Sequence, residues 1–416
     1  MRAEIINVGN EVLLGYVLNE NACFLSMRLA SLGIELMYHT VVGDQSGNIG
    51  EAFAQAKKRA EMIIFTGGLG TTVDDLTKEV VCNEIGLPLV KSAQWEEHLE
   101  KLYSKVGTEL DEKRRRQAYV PKGSILIPNE NGTAPGIIID RQDMMIILLP
   151  GPPEELKPMV DQTVMPYLQL NVPVGIIKTR VLRVMGLGEA TLEDSLSRLI
   201  DGEGNPRVVL MAQSTEVHIY ITGKGNDQAR VEKMIQEKEN IIKEELGSYL
   251  YGTDEETLEQ VVSQILLDGG YTVAAAESCS GGLLADKFTN IPGSSNYFLR
   301  GIVSYNNEAK VEILKVPRET LDTVGAVSEE TARIMAENIR SFASADFGLS
   351  ITGYAGPSQG SLDPVGLVYI GLSTNKGTFC QRCNFWGGRR SIKEQSAVYA
   401  LNMLRLYLLG FLDSED

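Results

Sequence analysis

The sequence predicts an α/β protein: two α/β domains joined by a small α+β connector domain. Three observations predict it. Over residues 1–170, short apolar runs alternate with segments whose apolar residues recur at helical spacing. Over 171–252 that rhythm gives way to three strand-like runs and a long, highly charged helical segment. Over 253–416 the alternation resumes, with two long amphipathic stretches.

The elements follow in order. Glu4 to Gly9 reads as a strand, Asn19 to Leu32 as a helix with Phe24, Met27, Leu29 and Leu32 on its apolar side, and Leu36 to Val42 as a strand. Ile49 to Ala60 reads as a helix, and Met62 to Thr66 as a strand broken by Gly67-Gly68-Leu69-Gly70. Asp74 to Ile85 is expected as a helix whose first turn carries acids, favoured by the helix dipole. This order predicts a parallel sheet covered by helices. In the connector, Ile176 to Val184, Val208 to Ala212 and Glu216 to Thr222 read as strands, Thr191 to Ile200 and Gln228 to Leu246 as helices. Tyr251 to Asp254 reads as a linker. Beyond it come helices at Thr257 to Leu267, Gly281 to Asn290, Ser328 to Phe342 and Arg390 to Leu409. Strands are expected at Thr272 to Ala276, Gly301 to Tyr305, Phe347 to Thr352 and Gly366 to Ser373.

Composition narrows the function classes. The chain has 416 residues, 43% hydrophobic and 23% charged, with a formal net charge of −16. No run reaches the ~18 apolar residues that span a bilayer. The start, Met1 to Gly9, reads as a buried strand and not as a signal peptide, so a cytoplasmic protein without a membrane partner is expected. Nucleic acid is not expected as a partner. The one dense basic run, Lys113-Arg114-Arg115-Arg116, follows acids and reads as a solvated helix face. The connector's Gly186-Leu187-Gly188-Glu189 is followed by Glu193 and Asp194, an acidic setting for a nucleic-acid clamp. Five sparse cysteines suit a reducing compartment, and the lone Cys380-Gln381-Arg382-Cys383 lacks the second ligand pair of a closed zinc site. Only His39, His98 and His218 are present, which argues against histidine-based catalysis.

Chemistry-bearing residues cluster at predicted strand ends. Glu277-Ser278-Cys279-Ser280-Gly281-Gly282 joins an apolar strand to an apolar helix. Free N–H groups at that helix start would favour a phosphate or an oxyanion. Ser278 reads there as a nucleophile or as a helix N-cap. A nucleophilic serine needs a base, and with histidine scarce the lysine of Ser304-Tyr305-Asn306-Asn307-Glu308-Ala309-Lys310 is the available one. A free lysine, with a pKa of about 10.4, is protonated at neutral pH, so it would need burial or a cationic neighbour to serve. Tyr305 would relay a proton or orient the lysine; a surface lysine and a core tyrosine are the alternative. Gly353-Tyr354-Ala355-Gly356-Pro357 reads as a ligand-facing turn or simply a turn, and Arg389 of Trp386-Gly387-Gly388-Arg389-Arg390 as a phosphate clamp or a surface cation. In the first domain, Thr66 to Thr77 follows a strand and opens a helix. Its glycines and threonines suit a phosphate, and Asp74 and Asp75, with Asp44 and the weaker candidate Glu11, suit a divalent cation. Helix capping is the alternative.

These motifs, together with Pro292-Gly293-Ser294-Ser295, Gly325-Ala326-Val327-Ser328 and Pro364-Val365-Gly366 in the same order, resemble the C-terminal domain of the CinA family (competence/damage-inducible protein A). Gly9-Asn10-Glu11, Gly15, Asn19, Asn21, the Thr66 to Thr77 segment and Leu149 to Glu154 are similar to that family's N-terminal, molybdopterin-binding-like domain. The resemblance implies a nicotinamide-nucleotide amidase in 253–416, turning nicotinamide mononucleotide (NMN) and water into nicotinate mononucleotide and ammonia with no cofactor. It places the nucleophile on Ser278, its partners on Tyr305 and Lys310, and substrate contacts on Ser280, Gly281, Gly282, Gly356 and Arg389. For 1–170 it implies hydrolysis of ADP-ribose to AMP and ribose 5-phosphate. There Gly67, Gly68, Thr72 and Asp74 would contact substrate, and Asp44 and Asp75 would hold a divalent metal ion. It also implies a homodimer. Amidase activity alone over a nucleotide-binding scaffold, or a non-enzymatic binding protein of competence, are the alternatives. Ser280 stands where the family commonly has threonine, Thr71 replaces a common proline, and the segment 358–363 is shorter than usual.

Overall fold

The computed structural model describes residues 1–105, 107–172, 175–200, 204–357 and 364–412. The segment 358–363 therefore lies outside the described residues. The chain divides into two units, Met1–Lys178 with Gly223–Glu232, and Thr179–Thr222 with Lys233–Asp416. Among the described residues no helix is long and apolar enough to cross a membrane.

In the first unit, β1 (Arg2–Val8) is buried from Ala3 onward and lies between β2 (Glu35–Val42) and β3 (Met62–Thr66), parallel to both. Two short strands, β4 (Leu89–Lys91) and β5 (Tyr119–Pro121), pair apart from this sheet. Then follow β6 (Ile125–Ile127), β7 (Gly136–Asp140) and β8 (Met145–Leu149), giving the order β2-β1-β3-β8-β7-β6. The expectation of a parallel sheet needs correction here. β8 is parallel to β3, but β7 is antiparallel to β8 and β6 to β7. The cause is connection length: the turn closed by Arg141 N–H on the Met144 carbonyl is too short for a crossover, so the chain can only fold back.

The expected helix from Asp74 begins instead at Thr77 and runs to Glu84. The Asp75 carboxylate accepts both the N–H and the hydroxyl of Thr72, each at 2.7 Å, so these residues close a turn of their own before the helix starts. Asp74 and Asp75 are therefore loop residues, and Glu79 is the acid of the first turn. The basic run forms the short helix Glu112–Arg115. Arg114 pairs with Asp111, Arg115 with Glu96 and Arg116 with Glu79, so no basic face results.

The second unit carries most of a four-stranded sheet ordered β10-β11-β9-β12, formed by β9 (Ile176–Val184), β10 (Arg207–Ala212), β11 (Val217–Gly225) and β12 (Leu250–Thr253). The expected linker at Tyr251 to Asp254 is thus an edge strand, antiparallel to β9. Asp254 closes it by accepting the Val181 N–H at 3.0 Å.

The C-terminal sheet is ordered β14-β13-β15-β16-β17, from β13 (Val273–Glu277), β14 (Phe298–Val303), β15 (Phe347–Gly353), β16 (Leu367–Ser373) and β17 (Thr378–Asn384). β13 is parallel to β14 and β15, whereas β16 and β17 return antiparallel. Strand alternation sorts the core. Ala274 and Ala276 pack with Met335 and Ile339 of the helix Glu329–Ala343. Val273 and Ala275 pack on the other face with Leu284, Ala397 and Leu401, the last two from the helix Arg389–Leu408. Cys380 and Cys383 lie three residues apart on β17, which turns them to opposite faces. Burial pushes both thiols up to about 12.

β13 ends on a buried acid. The Glu277 carboxylate accepts the N–H groups of Gly282 (2.9 Å), Leu284 (3.1 Å) and Ala285 (2.8 Å), which are donors at the start of the helix Leu283–Thr289. A neutral amide at 277 would have one acceptor oxygen for three donors and would turn an NH2 group toward them. Glu277→Gln is expected to cost about 2 kcal/mol, typical for charge-assisted bonds lost in a buried place. Hydrogen exchange should read this locally, as lost protection at the amides of Leu284 and Ala285; unchanged protection there would refute the capping role.

Candidate active site

The C-terminal site is assembled where β13 and β14 end side by side. The Ser278 N–H donates to the Ile351 carbonyl (2.9 Å) and the Ser304 N–H to the Glu277 carbonyl (2.8 Å), which locks the two strand exits together. Asn306 then starts the helix Asn307–Glu312 by accepting the Ala309 N–H at 2.8 Å. That cap fixes the direction of the first turn, and Lys310 on it points back under the strand ends. Its Nζ lies 2.9 Å from the Ser304 carbonyl oxygen and 3.0 Å from Ser278 Oγ.

Lys310 is 1% exposed and Ser278 8%. Among the described residues no carboxylate pairs with the amine. Burial lowers the lysine pKa, partly offset by the neighbouring Cys279. Burial also pushes the Cys279 thiol up to about 11, so at neutral pH it is uncharged and brings no anion. With the amine neutral, its lone pair accepts the Ser278 hydroxyl proton while an N–H still donates to the Ser304 carbonyl. Such an arrangement could serve a serine nucleophile and a lysine base.

The other expected residues fall around this pair, with two differences. Gly281 and Gly282 have φ of +63° and +99°, as a tight turn requires. Their N–H groups are not free for an anion, however. Gly281 donates to the Ser278 carbonyl and Gly282 to Glu277, so the helix start already holds its negative charge. Tyr305 is 61% exposed, and its hydroxyl accepts from Arg389 at 2.6 Å. Among the described residues no hydrogen bond joins it to Lys310, so it stands at the rim and not between the lysine and solvent. Arg389 also donates to the Gly356 carbonyl, which ties the last helix to the turn after β15. Ser280 is fully buried and its hydroxyl has no hydrogen-bond partner among the described residues. Three residues escaped the sequence reading. Glu277 was visible only as part of its motif. Lys393 stands one helical turn after Arg389, a spacing that could have found it. Trp386 is 85% exposed beside Arg389.

The N-terminal candidates share one cleft of about 370 Å³, lined by Glu11, Asp44, Gly67, Gly68, Thr72, Asp74 and Asp75, with Gln117 and Glu155 among the other walls. Polar side chains hold its loops. Asn21 Nδ2 donates to the Gly151 carbonyl (2.7 Å), Asn19 Nδ2 to Asn7 Oδ1 (2.9 Å) and Asn7 Nδ2 to Thr66 Oγ1 (2.7 Å). Gly67 and Gly68 have φ of +91° and +70°. A Cβ on the first would run into the Val8 carbonyl and on the second into Thr77 Oγ1. Asp44 is pushed up, first by burial and then by the charges of Glu11, Asp74 and Asp75, while the Asn10 N–H opposes this. Among the described residues no three acidic, histidine or cysteine side chains converge as a ready-made metal cage.

Comparison with known proteins places this geometry. Residues 4–170 match a family model described as a probable molybdopterin binding domain, residues 179–252 one described as the damage-inducible protein CinA KH domain, and residues 255–408 one described as the CinA C-terminal domain. A putative competence-damage inducible protein of Thermoanaerobacter pseudethanolicus is 46% identical over 411 residues, 99% of either chain. A CinA-like protein of Kosmotoga olearia is 44% identical over 410 residues, 98% of this chain and 99% of its own. A crystal structure of a competence/damage-inducible protein from Agrobacterium tumefaciens, 39% identical, covers 36% of this chain and 95% of its own, with a TM-score of 0.35. With three domain models in series and relatives aligned from end to end, the chain belongs to the CinA family.

Proposed function

We propose that the C-terminal domain is a serine–lysine amidohydrolase acting on nicotinamide mononucleotide. The observation that carries this reading is the buried amine of Lys310, 3.0 Å from Ser278 Oγ and without a carboxylate partner among the described residues. Ser278 Oγ attacks the carboxamide carbon as its proton passes to Lys310 Nζ. The tetrahedral intermediate collapses when Lys310 returns that proton to the departing nitrogen, releasing ammonia and leaving an ester on Ser278. Water, deprotonated by the same amine, attacks the ester; the proton returns to Ser278 Oγ and nicotinate mononucleotide leaves. Tyr305 and Arg389, joined at the rim, orient the substrate. No cofactor takes part.

For the N-terminal domain we propose hydrolysis of ADP-ribose to AMP and ribose 5-phosphate with a divalent cation. The donor set fits such an ion: Asp44, Asp74, Asp75 and Glu11 offer hard oxygen ligands in a cleft whose negative charges already disfavour one another. Asp44 and Asp75 would hold it, and the ion would supply charge neutralisation for a pyrophosphate and activation of a water. Gly67, Gly68 and Thr72 would bring backbone and hydroxyl groups to the phosphates, with Asp74 beside them. A scaffold reading competes here, because one oxygen of Asp75 is already engaged by Thr72.

The experiments are direct. Purified full-length protein should release ammonia from NMN, and Ser278→Ala and Lys310→Ala should each lose at least a thousandfold in kcat/KM; ordinary turnover in both variants would remove the assigned roles. Lys310→Arg should be equally inactive, since a guanidinium does not give up its proton near neutral pH. The reactive form of Lys310 is the neutral one. The wild-type kcat/KM should therefore rise with pH through a single ionisation below the ordinary lysine value of about 10.4. A flat profile over pH 6 to 9 with no such limb would contradict a lysine base. For the first domain, AMP formation from ADP-ribose should require added divalent metal and fall at least a hundredfold in Asp44→Asn. No AMP with any metal would leave the scaffold reading.

A further inference from the structure

We propose that Lys393 recognises a phosphate monoester on the amide substrate of the C-terminal site. The inference rests on the amidase reading and adds a residue to it. An anion at this site finds the Gly282, Leu284 and Ala285 N–H groups of the helix start after Ser278 already engaged by Glu277. The remaining source of positive charge is the first turn of the helix Arg389–Leu408. Lys393 Nζ lies 3.3 Å from the position a Cβ would take on Gly281, so its ammonium stands directly over the turn that carries Ser278 and Ser280. Only a residue without a side chain lets it come so close. Arg389 lies four residues earlier, on the same helix face, and among the described residues bonds to neutral groups, the Tyr305 hydroxyl and the Gly356 carbonyl.

Neither cation has an acidic partner among the described residues, whereas Arg390, on another face, pairs with Glu394 at 3.0 Å. The helix has no side-chain cap at Gly388 and no acid in its first turn. Two cations without acidic partners among the described residues, Lys393 by the Gly281 turn and Arg389 at the rim beside Tyr305, match a group of charge near −2, as a phosphate monoester carries, better than a carboxylate of charge −1. The buried Ser280 hydroxyl, next to Gly281 and without a partner among the described residues, is a further group able to contact a ligand.

The test is calorimetric titration of full-length Ser278→Ala protein, which does not turn substrate over, with NMN and with nicotinamide riboside, its counterpart lacking the phosphate. The parent should bind NMN at least tenfold more tightly than the riboside. Adding Lys393→Gln should remove at least fivefold of that preference and leave riboside affinity unchanged, and Lys393→Arg should retain most of it. A preference that survives Lys393→Gln, an equal loss for both ligands, or a parent that binds neither would overturn the proposal. Lys376→Gln, in the turn between β16 and β17, controls for net charge and should change nothing; if it matches Lys393→Gln, the effect is not local and the proposal fails. Ammonia release by the wild type is read separately. If that is absent while the preference is present and lost in Lys393→Gln, the amidase reading fails and the phosphate site stands.

Discussion

A primary amine held in the interior against a serine hydroxyl is the constraint around which the C-terminal domain is arranged. Burying an ammonium without a counter-ion is costly, and a protein meets that cost most cheaply by letting the group lose its proton. The surroundings of Lys310 all allow that escape. Its fixed neighbours are a carbonyl oxygen and a hydroxyl, both of which serve the neutral amine as well as the charged one. The Cys279 thiol, itself pushed up by burial, stays neutral and does not restore the charge. A carboxylate within reach would have kept the ammonium charged and the serine without a base.

The same economy explains Glu277. A sharp exit from a parallel strand into a helix leaves several N–H groups without partners, and such a place ordinarily attracts a ligand anion. Here the strand's last residue supplies the anion from within. The turn is then rigid before any substrate arrives, and Ser278 is held by its backbone on both sides: its own N–H on Ile351, and the preceding carbonyl by Ser304. Rigidity of this kind limits the entropy lost in bringing hydroxyl, amine and carbonyl together. In the proposed amidase it would also move the work of holding substrate charge from the helix after Ser278 to the helix that begins at Arg389.

Much of this was legible in the sequence. Strands buried on both faces, such as Val273–Glu277 and Met62–Thr66, show as short unbroken apolar runs, and their order with intervening helices gave the α/β class. The pairing of Ser278 with Lys310 was inferable because only three histidines exist in the chain and Lys310 sits in a motif just after a predicted strand. What escaped has physical causes. The hairpin strands Gly136–Asp140 and Met145–Leu149 are joined by a turn without a strong glycine signal, so the switch from parallel to antiparallel did not show. Thr378–Asn384 mixes polar and apolar residues as an edge strand does. The helix after the first glycine loop started late because one carboxylate, Asp75, found its donors locally, which no helix-dipole rule anticipates. The distance from Tyr305 to Lys310 depends on how two strand ends splay, and five residues of spacing do not fix that.

The two units carry opposite electrostatic designs on similar frames, and the contrast bears on what each can do. In both, a glycine turn with positive φ follows a parallel strand, opening a helix directly in the C-terminal domain and after a further loop in the N-terminal one. In the C-terminal domain the turn's anion is internal and the groups above it are cationic or neutral, so an organic anion can approach an uncharged nucleophile. In the N-terminal domain Glu11, Asp44, Asp74 and Asp75 line the cleft beside the turn, and Asp44 is raised first by burial and then by the repulsion of the neighbouring carboxylates. A nucleotide phosphate would meet that repulsion directly. A divalent cation, as proposed for this site, would relieve it for protein and ligand at once, acting as a third, positively charged party between the acidic cleft and a phosphate.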